Sequence, residues 1–78
     1  MDAPRHVFLK RGDARGEVDA ALARLAARGV SREASGFDKC IHVTQAEQTV
    51  LMVDGRDSPL AAEMRGAAGW MEPGDEPV

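Results

Sequence analysis

Residues 17–30 read EVDAALARLAARGV, and this stretch decides the fold. Its apolar residues recur at the spacing i, i+3, i+4, i+7 and i+8, which puts on one face of an α-helix Val18, Ala21, Leu22, Leu25 and Ala26. Gly29 is expected to end this helix in the left-handed conformation, so that Val30 packs back against Leu25. The helix therefore supplies the first apolar surface of a small core.

Short strand patterns flank this helix on both sides. Residues 6–10, HVFLK, are an apolar run before it, and residues 38–44, DKCIHVT, alternate with period two after it. Residues 49–53, TVLMV, are apolar on both faces, which favours the best-buried strand. Ser58 and Pro59 then start a second helix, as its N-cap and its first helical residue.

The resulting order is βαββα, which predicts a two-layer α/β (α+β) sandwich. The sheet is expected to be mixed and three-stranded, with both helices on one face and the first helix crossing over to a parallel strand. The alternation places on the helix side Val7, Leu9, Ile41, Val43, Val50 and Met52. The alternative is an α+β domain in which residues 45–48 do not turn and residues 38–53 form one long bent strand.

Residues 11–16, RGDARG, connect the first strand to the first helix. Asp13 is the expected N-cap, because its carboxylate can accept from the free amides of the first turn. A phosphate-binding loop would lie at this place, but the stretch matches neither GxxxxGK[ST] nor GxGxxG. We therefore interpret it as a plain strand–helix connection.

The chain is predicted to hold one small globular domain, residues 1–71, and a disordered acidic tail, residues 72–78, which reads EPGDEPV. A domain of this size buries only about 60% of its unfolded surface, so a partner or a second copy is an expected source of stability. The single cysteine excludes an internal disulfide. Since the sequence has neither a secretion signal nor a long apolar run, we expect a cytoplasmic protein without membrane contact.

His6, Cys40 and His42 are the side chains closest in type to a metal or small-ligand site. Two imidazoles and a thiol could bind zinc if the strands that carry them were neighbours. However, no CxxC or HExxH spacing accompanies them, and no carboxylate pair or Ser/His/Asp set stands out. We therefore expect no metal, no cofactor and no enzymatic activity, and we keep a small ligand- or metal-binding protein as an alternative.

The sheet face away from the helices is predicted to remain apolar. By the alternation above, this open sheet face would carry Phe8, Cys40, His42 and Leu51. An uncovered antiparallel face normally becomes polar, so these residues suggest contact with a partner or a second copy. A self-associating structural subunit is therefore an alternative function.

Acidic residues are concentrated in the second half of the chain. Residues 1–40 carry eight Lys and Arg against six Asp and Glu, whereas residues 41–78 carry two against seven. The carboxylates expected at one interface are Asp54, Asp57 and Glu63, followed in the tail by Glu72, Asp75 and Glu76. Such a surface suits a partner with a basic surface, and the alternative is that it only keeps the domain soluble.

Basic surfaces are typical of nucleic-acid-handling proteins, and this favours one role above others. The chain is expected to be a non-enzymatic protein-interaction module that inhibits or regulates such a protein, in the style of phage and mobile-element inhibitors such as anti-CRISPR proteins. Direct nucleic-acid binding is not expected, because the pI is about 5.2. The aromatic residues available for stacking on bases are few, namely Phe8, Phe37 and Trp70.

Overall fold

A computed structural model of the chain describes residues 5–75. They form β1 (His6–Arg11), α1 (Arg15–Ala27), β2 (Phe37–Val43), β3 (Gln48–Val53), α2 (Pro59–Arg65) and β4 (Met71–Asp75). The strands make one four-stranded sheet in the order β2-β3-β1-β4, and every neighbouring pair is antiparallel. The protein is therefore an α+β fold, with the βαββαβ arrangement called ferredoxin-like or split βαβ.

The sheet differs from the predicted three-stranded mixed sheet. Strands β1 and β2 run in the same direction, as a helical crossover requires, but β3 lies between them and no parallel pair forms among the four described strands. The additional strand, β4, includes residues 72–75, for which the prediction of disorder was wrong. Pro73 fits in β4 because an edge strand tolerates a missing amide. Residues 76–78 of the predicted tail lie outside the described residues.

Helix α1 ends as the sequence predicts. Gly29 has φ of +84°, and its amide donates to the carbonyl of Ala26 at 3.0 Å. The amide of Val30 donates to the carbonyl of Leu25 at 2.9 Å, which completes a Schellman motif and brings Val30 against the core. At the other end the capping position is Ala14, which has no side-chain cap, rather than the predicted Asp13; the carboxylate of Asp13 does accept from the amide of Arg15 in the first turn, at 3.3 Å.

The second helix and the hairpin also follow the sequence. The hydroxyl of Ser58 accepts from the amide of Ala61 at 3.3 Å, and Pro59 occupies the first turn of α2. Strands β2 and β3 pair with Cys40 opposite Leu51, so residues between them do turn. One long bent strand over residues 38–53 is therefore excluded.

Both helices cover a single face of the sheet. The core between the layers consists of Phe8, Val18, Ala21, Leu22, Leu25, Leu51, Val53, Leu60, Ala61 and Met64. The contributions of α1 agree with its predicted face, except that Ala26 is exposed. The strand contributions do not, because the side predicted to face the core, with Val7, Leu9 and Val50 among its residues, lies on the opposite face of the sheet.

The loop between α1 and β2 closes one end of the core. Ser35 is fully buried, its hydroxyl donates to the carbonyl of Arg32 at 2.5 Å, and its carbonyl accepts from the amide of Leu60 at 3.0 Å. Gly36 has φ of +86°, and a Cβ added there would lie 2.5 Å from the Cβ of Ser58. The loop therefore packs directly on the start of α2, and only glycine fits at position 36.

Gly36→Ala is expected to lower the free energy of unfolding substantially, because it combines a left-handed backbone with a steric clash. The backbone cost alone is about 1–2 kcal/mol, and overpacking adds about 1–3 kcal/mol. The matched control is Gly29→Ala, which has φ of +84° but nothing within 4 Å of the added Cβ. Urea unfolding of both variants measures the difference, and equal losses would contradict the close approach to Ser58.

Candidate functional site: the open sheet face

The face of the sheet opposite the helices, here called the open face, is covered by no segment among residues 5–75. It consists of Val7, Leu9, Arg11, Lys39, Ile41, Val43, Gln48, Val50, Met52, Met71 and Gly74. Strand register places Ile41 beside Val50, Val50 beside Leu9, and Leu9 beside Met71, which makes an apolar row across all strands. Ile41 is 46% exposed and Met71 is 60% exposed, so the ends of this row are open to solvent.

The residues predicted for this face lie on the other one. Phe8 is 1% exposed and Leu51 is 0% exposed, and both pack under the helices. Cys40 packs against the same core, and the side chain of His42 is 17% exposed. The assignment of Phe8, Cys40, His42 and Leu51 to an open interface was therefore wrong, since the two faces of each strand were exchanged.

The exchange occurred because polar residues of the strands point into the helix layer. The Nζ of Lys10 donates to the carboxylate of Glu17 at 2.8 Å and to the carbonyl of Ala68 at 3.0 Å. The hydroxyl of Thr49 accepts from the amide of Ala14 at 2.7 Å and is fully buried. A buried polar group is stable when its hydrogen bonds are satisfied. The signal available in the sequence was strand phase alone, because Lys10 lies two residues from Phe8, and Thr49 two residues from Leu51, which puts each pair on the same face.

His6 is another enclosed polar residue, with a side chain 6% exposed. Its Nε2 lies 2.5 Å from the carboxylate of Glu72, and its Nδ1 lies 3.0 Å from that of Asp75. Both ring nitrogens donate only when the imidazole is protonated. Glu72 also accepts from Arg65 at 2.7 Å, so these four side chains attach β4 to β1 and α2.

The hypothetical metal set His6, Cys40 and His42 is not brought together. Strand β3 separates the strand of His6 from that of Cys40 and His42, and the ring nitrogens of His6 are already engaged by carboxylates. Within residues 5–75, no group of three or more His, Cys, Asp or Glu is placed to hold a metal ion.

Cys40 lacks the surroundings of a reactive thiol. Burial raises its pKa, and the nearby carboxylates of Asp19 and Asp13 raise it further, against an opposing effect of Arg15. The thiolate is the nucleophilic form of cysteine, so a raised pKa disfavours catalysis. The Nδ1 of the neighbouring His42 lies 3.7 Å from the Asp13 carboxylate, whereas its buried Nε2 has no hydrogen-bond partner among residues 5–75.

The predicted acidic interface is divided by ion pairs. The carboxylate of Glu63 accepts from Arg24 at 2.9 Å and from Arg28 at 3.0 Å, and these hydrogen bonds lower its pKa. Asp54 and Asp57, in the connection between β3 and α2, are exposed. Of the expected carboxylates, Glu63 therefore binds α2 to α1, and its charge is not free for a partner.

The remaining candidate sites on the helix side are occupied by internal contacts. A depression of about 330 Å³ is lined by Arg24, Ala62, Glu63, Gly66 and Ala67, and its charged groups already pair with each other. In the loop before α1, the amide of Gly12 donates to the carbonyl of Glu47 at 2.7 Å. The Ala14 amide is held by Thr49, so these two amides are not available to an anion.

No protein-family model, curated protein or solved structure matches this chain. Between residues 5 and 75, neither helix has the length and apolarity needed to cross a membrane. The functional interpretation therefore depends on the open face and its surroundings.

The loss of folding stability at low pH tests the attachment of β4. Arg65, and after it His6, lower the pKa of Glu72 from its usual value near 4.5 to about 2. Because the folded-state pKa is the lower one, ionised Glu72 stabilises the fold above about pH 4.5, and this contribution is lost as the pH falls towards 2. Glu72→Gln should therefore start less stable at pH 7 and lose less stability over this window.

Unfolding by urea at a series of pH values measures this effect. Glu33→Gln, the same change in the exposed loop before β2, is the control. Parallel pH profiles for Glu72→Gln and the unaltered protein would contradict the proposed attachment.

Charge reversal at Glu63 tests the contact between the helices. Glu63→Lys would place a third cation beside Arg24 and Arg28, and the melting temperature should fall by roughly 5–10 °C. Asp54→Lys makes the same change at an exposed position and should leave the melting temperature nearly unchanged. Circular dichroism melting compares the two, and a larger loss for Asp54→Lys would contradict the assignment.

Proposed function

We propose that this chain is a non-enzymatic protein-interaction module that binds its partner through the open face. The observation that carries this proposal is the aliphatic and thioether surface made by Val7, Leu9, Ile41, Val43, Val50, Met52 and Met71. An antiparallel sheet that faces water on one side normally alternates to polar residues there. Nothing about strand formation requires aliphatic residues at these positions, because threonine forms strands as readily.

The size of the surface supports this role. Four strands about 4.8 Å apart, each about 17–20 Å long, give an area of roughly 400 Å². The largest apolar patch on a typical monomer is about 300–600 Å² and is often functional. The whole open face, polar residues included, is about half of the roughly 800 Å² that each partner contributes to a standard interface, so a partner bound there would also contact residues around its edge.

The chemistry of the open face disfavours the other functional classes. It presents no nucleophile and no acid–base pair, and the thiol of Cys40 lies on the other side. Four-stranded sheets that bind RNA stack bases on aromatic residues, whereas here Phe8 is buried and Trp70 donates to Glu17 on the helix side at 3.2 Å. A protein partner is therefore the better interpretation.

The role of inhibitor of a nucleic-acid-handling protein has support from size and from the acidic composition. The version in which an acidic surface binds the partner has less support, because Glu63 and Glu72 are already paired with arginines. Of the carboxylates around the β3–α2 connection, only Asp54 and Asp57 remain exposed. We therefore place the contact on the open face. A self-associating subunit is the second candidate, since the same face would be covered by another copy.

Site-specific photo-crosslinking in the cells from which the chain comes tests the proposal. A benzophenone amino acid replaces Met71 on the open face, or Ala20 on the exposed side of α1 as the control. We expect a discrete adduct at position 71, at least about fivefold stronger than at position 20, as contact through a single face requires.

Ile41→Asp provides the second comparison, because this exposed side chain can change without opening the core. It should remove the adduct at position 71 while circular dichroism shows an unchanged fold. Equal adducts at both positions, or an adduct that Ile41→Asp leaves intact, would contradict the proposal. An adduct with the mass of two copies would favour the self-associating subunit.

A further inference from the structure

The charges of the open face point to a particular kind of partner. Arg11 and Lys39 are the charged residues at the paired positions of this face, both are exposed, and neither forms an ion pair in the part of the chain that the structure describes. No carboxylate lies at the paired positions of this face, and Asp38, in the bulge of β2 beside Lys39, forms an ion pair with Arg5 at 2.7 Å. The chain as a whole has a net charge of −3, so its sheet face is opposite in sign to the rest of the molecule.

The carboxylates are held elsewhere by contacts that leave the open face basic. Asp13 pairs with Arg15 at 2.7 Å, and Glu17 with Lys10 at 2.8 Å, both around the start of α1. Glu63 pairs across the helices, and Glu72 with His6 and Arg65. These ion pairs occupy cations of the helix side, whereas Arg11 and Lys39 remain available to a partner.

We propose that the open face binds an acidic amphipathic helix of a partner protein, an inference that rests on the function proposed above. The apolar row would contact the apolar stripe of that helix, and Arg11 and Lys39 would pair with carboxylates beside the stripe. A second copy fits less well, because two open faces would bring together two copies of Arg11 and two of Lys39, whereas the nearby carboxylate of Asp38 is already paired with Arg5.

The geometry of the face sets the length of this helix. Lys39 pairs with Met52, and Arg11 with Gln48, so the two cations lie four residues apart along β3 and two strands apart across the sheet. With a rise of about 3.4 Å and a strand spacing of about 4.8 Å, their Cα atoms are roughly 17 Å apart. In an α-helix, about eleven residues span that distance and return to the same face.

The test uses synthetic 16-residue helical peptides with an identical leucine stripe. They carry Glu, Gln or Lys at two positions eleven residues apart, and fluorescence anisotropy measures their binding to the full chain. We expect the Glu peptide to bind at least about fivefold more tightly than the Gln peptide, and the Lys peptide to bind most weakly.

Charge-swap variants provide the matched comparison. The double variant Arg11→Glu with Lys39→Glu should reverse the order, so that the Lys peptide binds best. Arg56→Glu removes an exposed cation outside the paired sheet and should leave the order unchanged. Circular dichroism confirms that each variant folds.

The outcomes separate this inference from the proposed function. Glu and Gln peptides that bind equally, with Ile41→Asp removing both, would overturn the acidic partner and keep the interaction module. If the folded chain binds none of the peptides, the inference is overturned. Crosslinking at position 71 still tests the proposed function independently. Sedimentation as a dimer that Ile41→Asp dissociates, or tighter binding to phosphatidylglycerol vesicles than to the Glu peptide, would assign the face to a second copy or a lipid surface instead.

Discussion

The hydroxyl of Thr49 links the sheet to the start of α1, and the arrangement of the two layers depends on it. It accepts from the amide of Ala14 at 2.7 Å and donates to the carbonyl of Gly12 at 2.7 Å, in a fully buried position. These contacts hold the chain that leaves β1 on one side of β3, so α1 covers that side. Phe8 and Leu51 are then buried, and Val50 faces the other way. An apolar residue in place of Thr49 would leave the buried Ala14 amide without a partner, at a cost of about 1–3 kcal/mol.

The features that sequence predicted correctly are those that depend on neighbouring residues. The periodicity of α1 places Val18, Leu22 and Leu25 in the core, and Gly29 ends the helix through bonds within one turn. Ser58 caps α2 through an amide three positions away. The hairpin of β2 and β3 likewise follows from adjacent strand patterns. Such local rules need no knowledge of the rest of the fold.

The features that sequence missed depend on distant residues. Strand β3 is apolar on both faces, so hydropathy could not decide its buried side, and the side that is buried also carries the polar Thr49. Strand β4 has no apolar alternation, and its attachment depends on His6 and Glu72, which are 66 positions apart. Because the sides were exchanged, the residues of the candidate site were exchanged with them. Only the pairing of each polar side chain with its distant partner resolves that choice.

The open face differs from the rest of the molecule in both charge and apolarity. An acidic partner helix would be repelled by the net charge of −3 at long range, so electrostatic steering would not accelerate the encounter. Near the surface, however, the Debye length is only about 8 Å at physiological salt, and the local cations Arg11 and Lys39 dominate. The side chains within that distance then decide which face is contacted. The affinity would accordingly come from slow dissociation of the helix from the apolar row, while the two cations fix the orientation of the helix.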